Sequence, residues 1–219
     1  MKNGVSLSND IPLIVDLDHT LIDTDLLYES SMGVLKKNPL LIFLFPFWFA
    51  KGKGYLKDQL VKRFSINARI LPYNQDVIDY INERKKQGSP IILATASHRD
   101  YAFEVVKHFQ TRKNNEVIIN NKQNLDLFSD KTEILKTKSP NSSLFDDVMA
   151  SNADFNLSSH NKAKKLIERF GHKQFDYMGD HMRDLPVWEA ANLSILVNAS
   201  DRVIKNTQHL NTLILSRKN

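Results

Sequence analysis

The chain has 219 residues, 42% of them apolar and 25% charged, with a formal net charge of +5 and no cysteine. This is the balance of an ordinary folded domain, long enough for one sizeable core or a core plus a small appended domain, and it excludes dominant disorder. Without cysteine there is no disulfide scaffold, thiolate zinc site or cysteine nucleophile, so a catalytic metal has to be held by oxygen or imidazole. The positive charge favours anionic partners: phosphate esters, acidic lipid surfaces or nucleic acid. Neither helix-turn-helix punctuation nor an aromatic RNA-binding signature accompanies it, so no nucleic acid is expected. Residues 1–10 are polar and lack the apolar core of a signal peptide. With no transmembrane run either, the expected location is cytoplasmic, membrane-peripheral at most.

The run Leu13-Ile14-Val15-Asp16-Leu17-Asp18 predicts a short buried strand ending in two carboxylates. Alternation in an extended segment places Asp16 and Asp18 on one face. Two crowded carboxylates are costly unless a cation separates them or one holds a proton, which marks the strand end as a functional site. Thr20 and Asp23 are candidate caps for a following helix that carries Leu26, Leu27, Ser30, Ser31 and Val34. Next comes the most apolar segment, Pro39 to Ala50, flanked by Lys36, Lys37, Lys51 and Lys53. It is too short to span a bilayer, which takes about 20 apolar residues. Its first reading is the buried side of a small helical subdomain; the second is a basic-edged interfacial surface or a grip on an apolar substrate tail.

Helices are predicted over 55–64 and 74–87, the latter with Val77, Ile78 and Ile81 on one face and stopped by Gly88-Ser89-Pro90. Ile91 to Ser97 is a second buried strand, ending in hydroxyls, and a helix follows through 101–109. The polar stretch 110–143 reads as a surface insertion with strand-like runs at 116–119 and 133–135. Beyond it the pattern predicts a strand over 144–151, a helix over 161–170 ended by Gly171, and a strand Phe175 to Asp180 with Gly179 as a turn glycine. A last strand, 194–198, precedes a polar tail. Apolar strands alternating with helices indicate α/β architecture with a parallel sheet.

Four signals fall in order, each at an element boundary: Asp16-x-Asp18, Thr95, Lys162, and Gly179-Asp180-x-x-x-Asp184. Each alone is weak; the ordered set resembles the haloacid-dehalogenase (HAD)-like hydrolase superfamily, most of whose members are magnesium-dependent phosphatases. More narrowly, Leu26-Leu27-Tyr28-Glu29-Ser30, Leu71-Pro72-Tyr73-Asn74, Leu93 to Ser97 and Asp184-Leu185-Pro186-Val187-Trp188 look like the hydrolase-like domain fused to UbiA-type membrane prenyltransferases. The chain is then either a stand-alone relative or an excised domain. The resemblance implies a Rossmann-like three-layer core, residues 1–24 and 89–219, with a helical cap, residues 25–88, inserted after the first strand.

The chemistry of phosphoryl transfer agrees with that reading. It needs an in-line nucleophile and positive charge around the equatorial oxygens. Asp16 is the expected nucleophile, forming an aspartyl phosphate, and Asp18 the acid and base. Mg²⁺ is expected on Asp16, the Asp18 backbone carbonyl and Asp180, with Asp184 supporting a metal water or Lys162. Thr95, the backbone around Ala96, and Lys162 are the expected phosphate binders, and His19 and Ser97 candidate substrate contacts. Oxygen ligands suit magnesium, so neither His19 nor His181 is expected to bind it. His19 stands where the superfamily often carries glycine, which puts glycine-dependent backbone geometry there in question. The expected partner is a phosphorylated small molecule, lipid or protein, phosphotyrosine included, with peripheral membrane contact. From a different class, the fold could serve as a non-catalytic membrane-associated binding module.

Overall fold

A computed structural model of the chain describes residues 11–110 and 143–215. The predicted insertion, with its runs at 116–119 and 133–135, lies outside the described residues but for its two ends. Six parallel strands form one sheet: β1 (Leu13–Val15), β2 (Ile91–His98), β3 (Asp147–Ser151), β4 (Asp176–Gly179), β5 (Ser194–Leu196) and β6 (Thr212–Ile214). Their order across the sheet is β3-β2-β1-β4-β5-β6, parallel at every pairing.

The period of two divides each inner strand between two cores. Leu13 and Val15 of β1, Ile91 and Leu93 of β2, Met178 of β4 and Ile195 of β5 share one apolar cluster. Ile14, Ile92, Ala94, Tyr177 and Leu196 belong to the other. Helices cover both faces, which is why the strands read as continuous apolar runs. The first face is covered by α4 (Gln75–Lys86) and by α5, helical over 99–110. The second carries α6 (Ser159–Phe170), α7 (Leu185–Ala190) and α8 (Asp201–Asn206). This is the three-layer α/β arrangement expected from the sequence.

The remaining helices are α1 (Leu26–Lys37), α2 (Phe45–Ala50), reached through a 3₁₀ segment Pro39–Leu44, and α3 (Lys53–Val61). They close a third small cluster of Val34, Trp48, Leu56 and Leu60. The cap of α1 is Asp25, whose carboxylate accepts from the N–H groups of Leu27 and Tyr28, rather than Thr20 or Asp23. Helix α4, included in the cap boundary 25–88 read from the sequence, buries Val77, Ile78 and Ile81 in the first sheet-side cluster.

Two expectations are corrected. The run Pro39 to Ala50 is not a buried face: Leu40, Phe43 and Phe47 are 72%, 70% and 69% exposed, while Trp48 alone of that run is buried. The supposed polar tail contains α8 and β6. A six-residue helix and a three-residue edge strand are too short for hydrophobic periodicity to register.

Candidate active site

β1 lies between β2 and β4. The chain leaves β1 toward β2 and β3, then crosses back through α6 to β4 on the other side. Such a reversal opens a crevice at the carboxyl ends of the strands. Asp16 follows β1 there, its N–H donating to the Met178 carbonyl at 3.0 Å, and Asp180 follows β4.

The side chains converge. One carboxylate oxygen of Asp16, Oδ1, accepts from the Leu17 N–H at 2.8 Å; the other, Oδ2, lies 3.0 Å from Lys162 Nζ. Lys162 is projected from the first turn of α6 and is 1% exposed, so this is no solvated surface lysine. It donates to the Tyr177 hydroxyl at 2.8 Å, and that hydroxyl donates to Asp184 Oδ1 at 2.9 Å. The second oxygen of Asp184 accepts from the His181 N–H at 3.3 Å. Gly179 is not a turn glycine: it lies within β4, and a Cβ there would come 2.8 Å from Asp184 Oδ2. Close approach of the carboxylate, not backbone conformation, calls for glycine.

Asp18 lines the same crevice and faces a different set of partners. Its Oδ1 accepts from the Leu26 N–H at 2.8 Å and its Oδ2 from the Ser97 hydroxyl at 2.6 Å. Burial, and after it the charge of Asp25, pushes Asp18 up to about 6, so a modest further change suffices to protonate it near neutral pH. Ala96 and Ser97 line the crevice, whereas Thr95 is fully buried and its hydroxyl accepts from the Ser97 N–H at 2.9 Å. His19 is exposed and lines a neighbouring hollow with Asp23 and Tyr28, which shares Asp25 and Leu27 with the crevice. Its φ of 56° is left-handed, which accounts for glycine in the resembling pattern and shows that histidine adopts the conformation here.

Three groups escaped the sequence reading. Tyr177 ties Lys162 to Asp184, yet in the sequence it is one aromatic in a buried strand. Lys57 of α3 reaches over the crevice and donates to the Ala96 carbonyl and to Asn156 Oδ1. Asn156 precedes α6 in an irregular segment. Nothing in the local pattern separates Lys57 from the other lysines of residues 25–88.

Among the described residues, Asp16, Asp180 and Asp184 each offer an oxygen within 4.8 Å of the others. Burial first, then the neighbouring charges of Asp184 and Asp16, pushes Asp180 up to about 8, and burial raises Asp16 despite Lys162. Three crowded carboxylates facing one buried lysine suit a hard divalent cation with oxygen ligands, so the residues present fit Mg²⁺. A testable consequence follows from the sign of the shift. With Asp180 raised from 3.8 to about 8, its contribution to stability in the metal-free protein is fully present below the lower value and lost as pH rises through the higher. The thermal midpoint of the metal-free protein is expected to fall between about pH 4 and about 8, and the increase on adding Mg²⁺ to grow over the same interval. A magnesium shift independent of pH in a melting series would contradict this.

No family model matches the chain. The uncharacterized protein y4nM of Sinorhizobium fredii (strain NBRC 101917 / NGR234) is 31% identical over 188 residues, 85% of this chain and 30% of that protein. The chain thus spans less than a third of its relative's length. A HAD family hydrolase from Salmonella enterica serovar Typhi superposes with a TM-score of 0.54 at 12% identity, covering 96% of this chain and 68% of the other. A phosphoserine phosphatase in apo form gives 0.52 at 13%, covering 95% and 94%. At these identities the likeness is one of fold: the chain shares the α/β fold of HAD-superfamily hydrolases.

Proposed function

We propose that the protein is a phosphoric monoester hydrolase of the haloacid-dehalogenase type, working through an aspartyl phosphate. The observation that carries this reading is the meeting of Asp16, Lys162, Asp180 and Asp184, with Asp18 at the same crevice, at the switch point of the sheet. A HAD family hydrolase and a phosphatase among the structures of the same fold support it.

Asp16 attacks phosphorus through a carboxylate oxygen while the leaving oxygen takes the proton of Asp18. The bond from phosphorus to the leaving group breaks as the acyl phosphate forms. Asp18, now ionised, takes a proton from the incoming water, which cleaves the acyl phosphate and frees Asp16. Lys162 favours the ionised form of Asp16 against the effect of burial and offers positive charge to the equatorial oxygens. Tyr177, held neutral because burial and the surrounding carboxylates push it far up, orients Lys162 and Asp184. Ser97 fixes the rotamer of Asp18. Mg²⁺ held by Asp16, Asp180 and the Asp18 carbonyl, with Asp184 beside them, would supply charge neutralisation for the phosphoryl oxygens.

In the finer form of this reading the phosphate ester is lipid-linked or membrane-associated. Leu27, Phe49 and Leu56 lend an apolar wall to an otherwise polar crevice. The narrower resemblance to domains fused to membrane prenyltransferases belongs to the same finer form, and a relative much longer than this chain is compatible with it. The test is release of phosphate or phenol from a generic aryl phosphate. Turnover is expected with Mg²⁺ and is expected to stop with a chelator. Folded, magnesium-loaded protein that turns over neither an aryl phosphate nor a panel of phosphorylated metabolites, and takes no label from acetyl phosphate, would overturn the reading in favour of a binding module.

A further inference from the structure

We propose that the surface built by residues 36–53 docks the protein on an anionic lipid bilayer, with the mouth of the Asp16 crevice turned toward the membrane. Large apolar side chains that a folded domain would ordinarily bury are here presented to solvent. Leu40, Phe43, Phe47 and Phe49 are 72%, 70%, 69% and 56% exposed. The first two lie three residues apart in a 3₁₀ segment, where such residues eclipse, and so share a face. So many large apolar side chains exposed within one short segment mark an interaction surface.

Charge selects the occupant. Lys36, Lys37, Lys51 and Lys53 flank the segment in sequence, all exposed, and no acidic residue occurs between Glu29 and Asp58. An apolar segment flanked by lysines and carrying no carboxylate of its own complements a negatively charged bilayer, the side chains entering the acyl boundary while ammonium groups stay at the headgroups. An acid-free lysine rim would repel a second copy of the same face. Among the described residues no helix is long and apolar enough to cross a membrane, so the contact is interfacial.

The patch also reaches the crevice. Phe49 belongs to both, and Lys53 stands beside it at the crevice wall. Docking therefore lays the crevice mouth against the lipid. The docking itself is independent of the phosphatase reading; the delivery of a lipid-borne phosphate ester to Asp16 rests on it.

The test is co-sedimentation of the chain with vesicles of phosphatidylcholine alone and of a two-to-one mixture with phosphatidylglycerol. Wild type is compared with a triple variant, Leu40→Ser, Phe43→Ser and Phe47→Ser. None of these side chains lines the crevice, and none is buried, so the variant should melt as wild type and keep its aryl phosphatase rate. Wild type is expected on the anionic vesicles at low salt, less so at high salt, and the triple variant at least about tenfold less. No sedimentation of wild type, or equal sedimentation of both, overturns the proposal. So does a concentration-dependent dimer lost in the triple variant without vesicle binding, which would assign the face to a second copy. With phosphatidic acid in the same vesicles, phosphate release is expected from wild type and about tenfold less from the variant. Equal release, or aryl phosphate turnover by wild type without any release from lipid, overturns the membrane-facing mouth. Loss of aryl phosphate turnover in wild type would instead remove the phosphatase reading and leave the docking to be judged by sedimentation.

Discussion

Replacing Asp16 by Asn is expected to lower kcat for an aryl phosphate by at least about three orders of magnitude while leaving the fold intact. An amide oxygen is a poor nucleophile and cannot form the acyl phosphate, so the two-step route is closed. The fold should tolerate the change because asparagine keeps the shape and its one carbonyl oxygen can still accept from either the Leu17 N–H or Lys162, while Asp184 remains 3.8 Å from the ammonium. It also removes one of three crowded carboxylates that burial already disfavours, so the thermal midpoint in chelator should stay or rise. The decisive measurement combines rate and melting with labelling by a phosphoryl donor. Wild type should take up label that is discharged by hydroxylamine, and the variant should not. A variant retaining more than about a tenth of the rate would exclude Asp16 as nucleophile.

The second large effect is on stability. Arg84, in the last turn of α4, is buried against the start of β4. Its Nη1 lies 2.7 Å from Asp176 Oδ2, and both side chains are 1% exposed. The remaining donors reach the Ser89 hydroxyl and the Ile11 carbonyl, and Asp176 also accepts from Asn192 and the Leu193 N–H. Truncating either partner leaves a buried charge without its opposite, a loss of about 3–5 kcal/mol. For a chain of this size that is a fall of roughly 10 °C in the thermal midpoint. Replacing both, Arg84→Met with Asp176→Leu, should cost clearly less than the sum of the two truncations, since no stranded charge remains. Denaturant unfolding of the two single and the double variants checks this. Additive losses would mean that the pair is not coupled. Since Arg84 and Asp176 lie at the end of the sheet away from the crevice, their variants separate stability from catalysis.

Much of the architecture could be read from the chain itself. Buried parallel strands announce themselves as short apolar runs because both faces are covered, and β1, β2 and β4 were legible for that reason. Asp16, Asp18 and Asp180 follow the ends of such runs, and Lys162 stands at a helix start, so with Asp184 they could be named as candidates from their order along the chain.

Other features depended on distance in space. No local pattern pairs Arg84 with a residue 92 positions on, brings Lys57 over Ala96, or makes Tyr177 the link between Lys162 and Asp184. Those contacts exist because the sheet order places β4 beside β1 and because α3 lies across the crevice. The apolar run of residues 39–50 shows the limit most plainly. Its composition established that it is hydrophobic, which is a property of side chains alone. Whether it is buried depends on what packs against it, and the helices that could have covered it close instead around Val34, Trp48, Leu56 and Leu60. Composition and period thus determined the strands and the layers, and the order of the motifs named the candidate residues through a family resemblance. Tertiary packing decided the partners of each charge and which apolar surface was left facing outward.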